Sequence, residues 1–152
     1  MKVNMMLADS AQVVGGKLYV LGGGWSTIGP DPTPFAVVLL LEVPWHETNH
    51  RFQFKLELLS EDDQAVLVPT PQGERPVVVE GAFEVGRPAG MRAGMPLNVP
   101  IAINLPHLPL APDRVYVWRL GLDARTEDDW RLTFTTRPQQ PAGAMQGGIA
   151  AT

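Results

Sequence analysis

His46-Glu47-Thr48-Asn49-His50 spells H-E-x-x-H. On a helix this spacing sets two imidazoles on one face, one turn apart, with the glutamate beside a zinc-bound water. That is the chemistry of metal-dependent hydrolysis. The flanks argue against a helix here. Pro44 stands just before the string and a strict alternation starts at Arg51, which leaves no length for a stable helix. Gln53 occupies the position where the extended form of the pattern needs glycine. His107 or a distant carboxylate would have to supply a third ligand, and no spacing selects one. The first reading is therefore a solvated interstrand turn. A zinc-dependent hydrolase with His46 and His50 as ligands is the alternative.

Other residues invite chemistry less directly. Ser60-Glu61-Asp62-Asp63 and Glu127-Asp128-Asp129 could offer carboxylates to calcium, but neither has the spaced ligands of a defined loop, and polar hairpin turns explain both. In an immunoglobulin-like order the two would lie at opposite ends of the molecule. Gly22-Gly23-Gly24 lacks the Gly-Lys-Ser/Thr ending and following helix of a phosphate loop. Ser10 and Ser26 lack a nucleophile elbow, and three scattered histidines do not define a triad. No cofactor is implied. Trp118 and Trp130 fall on inward registers and read as core. Trp25 and Trp45 lie at strand ends beside loops, as a partly exposed binding surface would. In Gly86 to Pro96, Met91 and Met95 flanked by Arg87 and Arg92 form an apolar-basic loop. It reads as an adaptable contact surface or, equally, as a cap on one end of the fold.

The elements that must position these residues are strands. Val3, Met5 and Leu7 alternate with Lys2, Asn4 and Met6, and Lys17 to Leu21 resumes after Gly15-Gly16, which predicts a hairpin with a loop longer than two residues. Because the alternation starts at residue 2, no leader peptide is expected. Phe35 to Val43 is apolar on both alternating faces, as in a central strand covered on both sides; that need for cover makes a homo-oligomer an expectation. Phe52, Phe54, Leu56 and Leu58 alternate with Arg51, Gln53, Lys55 and Glu57. Further strands are predicted at Ala65 to Val68, at Val77 to Val85 with Gly81 as a bulge, and at Leu97 to Leu105 with Pro100 restricting it to an edge or bulge. Arg114 to Leu122 and Trp130 to Thr136 form a closing hairpin, and Pro69 to Arg75 is read as loop. From Pro138 the tail (138–152) has little to bury and is expected to be disordered.

Eight or nine short strands without a helical period predict a single all-β domain over residues 1–137, an antiparallel β-sandwich. In Asp113-Arg114-Val115-Tyr116 the tyrosine opens a strand three residues after an aspartate, like the tyrosine corner of an immunoglobulin-like sandwich. The 152 residues include 15 glycines and 15 prolines, in keeping with many turns, and 45% hydrophobic content is enough for a core. The net charge of −4, without any basic run, excludes electrostatic capture of nucleic acid or an anionic membrane surface. Cysteine is absent, which suits a reducing cytoplasm and rules out disulfides and thiolate chemistry.

Leu7-Ala8-Asp9-Ser10-Ala11-Gln12-Val13, Gly16-Lys17-Leu18-Tyr19-Val20 and Gly22-Gly23-Gly24-Trp25 resemble the opening of an uncharacterised bacterial family common in actinobacteria. There an Ala-Asp-x-Ala-type segment precedes a Gly-Lys-Leu strand and a Gly-Gly-Trp ending. The resemblance is strongest over residues 1–45 and looser to about Arg137. It implies a small bacterial domain and brings no activity, substrate, cofactor or catalytic residue. The expectation is a cytoplasmic module without catalytic machinery, working through a protein partner or self-association. A small-ligand binder using the ends near Trp25 and Trp45 is a further alternative.

Overall fold

In the computed structural model, which describes residues 1–141, the alternation that opens at Val3 runs far past Leu7. Strand β1 spans Lys2–Val14 and pairs antiparallel with β2, Lys17–Gly23, from Val14↔Lys17 onward. The loop between them is therefore only Gly15-Gly16, not the longer loop the sequence suggests. Both glycines have positive φ, 57° and 74°, the type I′ geometry whose twist matches the two strands. The remaining strands are β3 (Thr27–Ile28), β4 (Ala36–Val43), β5 (His50–Ser60), β6 (Leu67–Thr70), β7 (Gly73–Pro76), β8 (Val78–Val85), β9 (Leu97–Asn104), β10 (Val115–Leu122) and β11 (Arg131–Thr136). A single 3-10 turn, Trp45–Glu47, links β4 to β5. Among the described residues no helix is long and apolar enough to cross a membrane.

These strands build the expected all-β antiparallel sandwich. One sheet has the order β2-β1-β4-β9 and the other β3-β11-β10-β5-β8, with β6 and β7 as a separate ribbon. Among the described residues only β3 against β11 is parallel. Leu7, Val37, Leu39, Leu41 and Val43 of the first sheet meet Phe52, Leu56, Leu58, Trp118, Leu120 and Phe134 of the second in one core. Trp118 and Trp130 are buried in it, as their registers predict. Two elements were not foreseen, β3 and β7. The segment Pro69 to Arg75 is part of the β6–β7 hairpin, because Gly73 takes φ 98° and the Thr70 hydroxyl donates to the Gly73 carbonyl (2.5 Å) across the turn. Gly81 is not a bulge either: β5 and β8 pair without interruption through Phe54↔Gly81. The missing side chain there makes room for the Phe54 ring, whose Cε1 would stand 2.6 Å from an added Cβ.

Strand β4 is covered on both faces, as its composition requires, but by its own chain. Ala36 and Val38, on the face away from the main core, bury with Ala8 and Ala11 beneath Leu18 and Val20 of β2. Ala8 and Ala11 lie three apart and a flat strand would point them oppositely, so β1 turns between them, folding the β1–β2 hairpin over the outside of the sheet. Asn104 at the end of β9 pins it there. Its Oδ1 accepts from the Ala11 N–H (3.3 Å) and its Nδ2 donates to the Ala11 carbonyl (2.7 Å). The apolar outer face of β4 is thus no reason to expect a second subunit.

The crossing from β9 to β10 is fixed by side chains. Tyr116 Oη accepts from the Ala111 N–H (2.9 Å), the upstream bond a tyrosine corner makes. Thr136 donates to the Ala111 carbonyl (2.6 Å), while Leu105, Leu108 and Leu110 bury in the core. Of the four outermost strands in the two sheets, three are blunted as templates for further pairing. Pro100 sits in β9, β3 is two residues long, and β8 carries Glu80, Gly81 and Glu84. Strand β2 is the fourth. Its middle, Leu18 to Leu21, has neither charge nor proline.

Candidate functional site

The H-E-x-x-H string does not form a helix. Trp45–Glu47 closes one 3-10 turn, with Glu47 N–H donating to the Pro44 carbonyl (2.9 Å). Asn49 then takes φ 55° and donates to the Val85 carbonyl (2.6 Å), and His50 is already the first residue of β5. The geometry that makes this spacing a zinc motif is therefore missing, and among the described residues no three His, Asp or Glu side chains cluster closely enough to hold a metal ion. The acidic turns do not form such a cluster; Asp63 instead pairs with Arg131, whose hydrogen bond holds its carboxyl below the ordinary aspartate range.

His50 has a different partner. Its Nε2 lies 2.8 Å from Asp123 Oδ2, while Asp123 Oδ1 accepts from the Gln53 N–H (2.9 Å). Asp123 and Ala124 form a two-residue turn with φ 50° and 63°, which aims the carboxylate back at β5. The pair opens into a cleft of about 410 Å³ lined by His46, Glu47, Asn49, Phe52 and Arg125. The Gln53 N–H, and after it the His50 ring, hold the Asp123 carboxyl below its ordinary value. A depressed folded pKa stabilises the fold above the unfolded aspartate pKa, and that contribution is lost as pH falls through the folded one. Asp123→Asn should therefore lower stability near neutral pH and converge on the parent chain at low pH, which flattens the acid limb of a denaturation profile. An unchanged acid limb would show that this carboxylate is not linked to folding.

Trp45 and Arg87, both proposed from sequence as contact residues, engage each other. The Arg87 guanidinium lies over the Trp45 ring, 4.0 Å from its centroid, donates from Nη2 to the Trp45 carbonyl (2.9 Å) and from Nε to Thr48 Oγ1 (2.6 Å). This clamps the turn to the segment after β8. Met91 and Met95 each close a turn, with Gly90 at φ 86° and Gly94 at φ 84°: Pro88-Ala89-Gly90-Met91 and Arg92-Ala93-Gly94-Met95 are successive type II turns. Met95 and Arg92 are exposed and Met91 is half-buried, so this loop remains on the surface. Trp25 is elsewhere and does not form a surface with Trp45. It packs edge-on against Phe35 (5.5 Å) and Phe134 (6.4 Å), at the margin of the core.

The surface that sequence reasoning missed is on β2. In the ladder with β1, Val14↔Lys17, Gln12↔Tyr19 and Ser10↔Leu21 alternate with Val13↔Leu18 and Ala11↔Val20. A two-residue turn is closed by a hydrogen-bonded pair, so Lys17, Tyr19 and Leu21 bond to β1 while Leu18 and Val20 turn their N–H and C=O groups outward. Among the described residues, strand β2 pairs with β1 alone. Tyr19 is 52% exposed and Leu21 72% exposed on its outer face, and Val14 beyond the turn 53%. The signal was present in Leu18-Tyr19-Val20-Leu21: like Phe35 to Val43 it is apolar at successive positions, and the same argument for two-sided cover applies.

The model of a family of unknown function, DUF6941, matches residues 4–135. No curated protein matches the chain.

Proposed function

The chain belongs to DUF6941, a family of unknown function, and we propose that it is a non-enzymatic assembly module that associates with a protein strand, foremost a second copy of itself. The observation that carries this reading is the unblunted edge of β2, with outward main-chain groups flanked by exposed Tyr19 and Leu21. We read the module as immunoglobulin-like. Lettering β1, β4 and β9 as A, B and E and β11, β10, β5 and β8 as G, F, C and C′ reproduces the sheet orders of that fold, and Tyr116 opens its F strand. The cysteine-free composition supports a cytoplasmic site of action. We take the block from Leu7 to Trp25 as the mark of a bacterial, actinobacterial-type source.

Sedimentation or light scattering across a concentration series tests the reading. The parent chain should rise above 16.6 kDa with concentration. Leu21→Lys, at a position too exposed to disturb the fold, should shift that rise by about tenfold in concentration or more, the equivalent of ~1.4 kcal/mol. A mass that stays monomeric throughout would remove self-association.

A second reading, small-ligand binding, is favoured by the cleft at His50 and Asp123 rather than by the tryptophans. Its open shape and convergent polar groups fit a small polar molecule.

A further inference from the structure

We infer that two copies join β2 to β2 antiparallel, in the register that centres on Val20. This rests on the reading of the chain as a self-associating module and adds to it the strand, the direction and the residue pairs.

The strand sequence decides the register. Outward-facing Leu18 and Val20 fix the phase, because an added strand must exchange bonds with those residues. Of the two-fold pairings that keep that phase, three overlap at least five residues of Lys17–Gly23, those centred on Tyr19, Val20 or Leu21. Centring on Tyr19 sets each exposed Leu21 opposite Lys17 of the second copy, placing an ammonium group against the most exposed apolar side chain of the strand. Centring on Leu21 brings the two leucines together but leaves each Tyr19 opposite Gly23, which has no side chain to pack. Centring on Val20 sets Tyr19 opposite the second Leu21 and Leu21 opposite the second Tyr19. An aromatic-aliphatic pair forms twice, of the kind that stabilises adjacent strands. The two lysines then lie at opposite ends of the ladder, beyond the Tyr19–Leu21 pairs. The Val20 residues exchange main-chain bonds across the axis. Gly22, at φ 60° with Asp9 packed where its side chain would stand, ends the regular strand just beyond.

The opposite edge of the hairpin is less open. There Asn104 already occupies the Ala11 N–H and carbonyl, which leaves a new strand only Val13 before the turn.

The absence of cysteine gives a clean test. In the Val20-centred register, residues 19 and 21 form a non-hydrogen-bonded pair, with Cα atoms about 4.5 Å apart, within disulfide range. Tyr19→Cys and Leu21→Cys chains, one carrying a mass tag, would be mixed, oxidised under mild conditions and read by intact mass. The expected product is the mixed disulfide, at least several-fold over either symmetric one. A dominant Tyr19→Cys homodimer would indicate the Tyr19-centred register, and a dominant Leu21→Cys homodimer the Leu21-centred one; either overturns the inference while leaving self-association through β2 intact. A parent chain that doubles its mass while no pair crosslinks would place the contact elsewhere. A parent chain monomeric at every concentration would overturn both the inference and the reading beneath it.

Discussion

Trp118→Ala is expected to lower stability by about 3–5 kcal/mol, the range for truncating a large buried aromatic side chain. Trp118 is fully buried, and its strand β10 is flanked on both sides, with Leu58 of β5 and Leu132 of β11 directly opposite. With neighbours on each side held in hydrogen-bonded ladders, the gap has little freedom to close. A domain of this size has roughly 5–15 kcal/mol in total, so the variant should melt roughly 10 °C lower or more. Trp118→Phe separates packing from polarity. The indole Nε1 is buried with no partner among the described residues, and a buried donor without one is unfavourable. Phenylalanine removes that donor and keeps most of the volume, so its loss should fall well under that of alanine. Equal losses for both variants would mean that the six-membered ring of the indole contributes most of the packing.

Asn104→Asp is expected to cost roughly 1–3 kcal/mol through one lost donor, with an effect confined to one part of the molecule. The carboxylate is nearly the same shape and can still accept from Ala11, but it cannot donate to the Ala11 carbonyl, which it now faces with negative charge. Ala11 is buried, so that carbonyl has little water to turn to. Because the Asn104 amide holds the folded-over hairpin to β9, its loss should speed amide exchange across residues 11–20 more than in Val37 or Leu39, which lie in the main core. If exchange rises evenly throughout, the hairpin is held by Ala8, Leu18 and Val20 packing alone and the amide is not its pin. Loosening the hairpin should also weaken association through β2, which links the two properties in one variant.

Much of the fold was legible because one sheet face buries wherever Phe52 to Leu58 or Tyr116 to Leu122 alternates, and that alternation is visible in the chain. Tyr116 was legible for a related reason, since its corner depends on residues only a few positions upstream. What could not be read was how far β1 extends. Past Leu7 the small residues Ala8 and Ala11 break the alternation, because the strand turns there and buries both on one side. That turn depends on Ala36, Val38 and Asn104, distant in sequence, and so the cover of β4 by its own hairpin was hidden. The H-E-x-x-H string shows the opposite case. It is a complete local pattern, but its function needs a helix, and the β5 alternation that begins immediately after it leaves no room for one. Asp123, the actual partner of His50, lies on another strand's turn and no local spacing could have pointed to it. Trp45 and Arg87 were each named as contact residues on separate grounds, and their contact with each other follows from the tertiary path between β4 and β8.

The uneven treatment of the outermost strands bears on how large an assembly can grow. A protein with two pairable edges adds copies head to tail without limit, which is the route to a fibre. Here proline in β9, brevity in β3 and the paired acids of β8 leave β2 as the unblunted one of those four strands. A contact that uses β2 on both partners consumes the same surface twice and presents no fresh strand. Its symmetry is closed, and the stoichiometry stops at two.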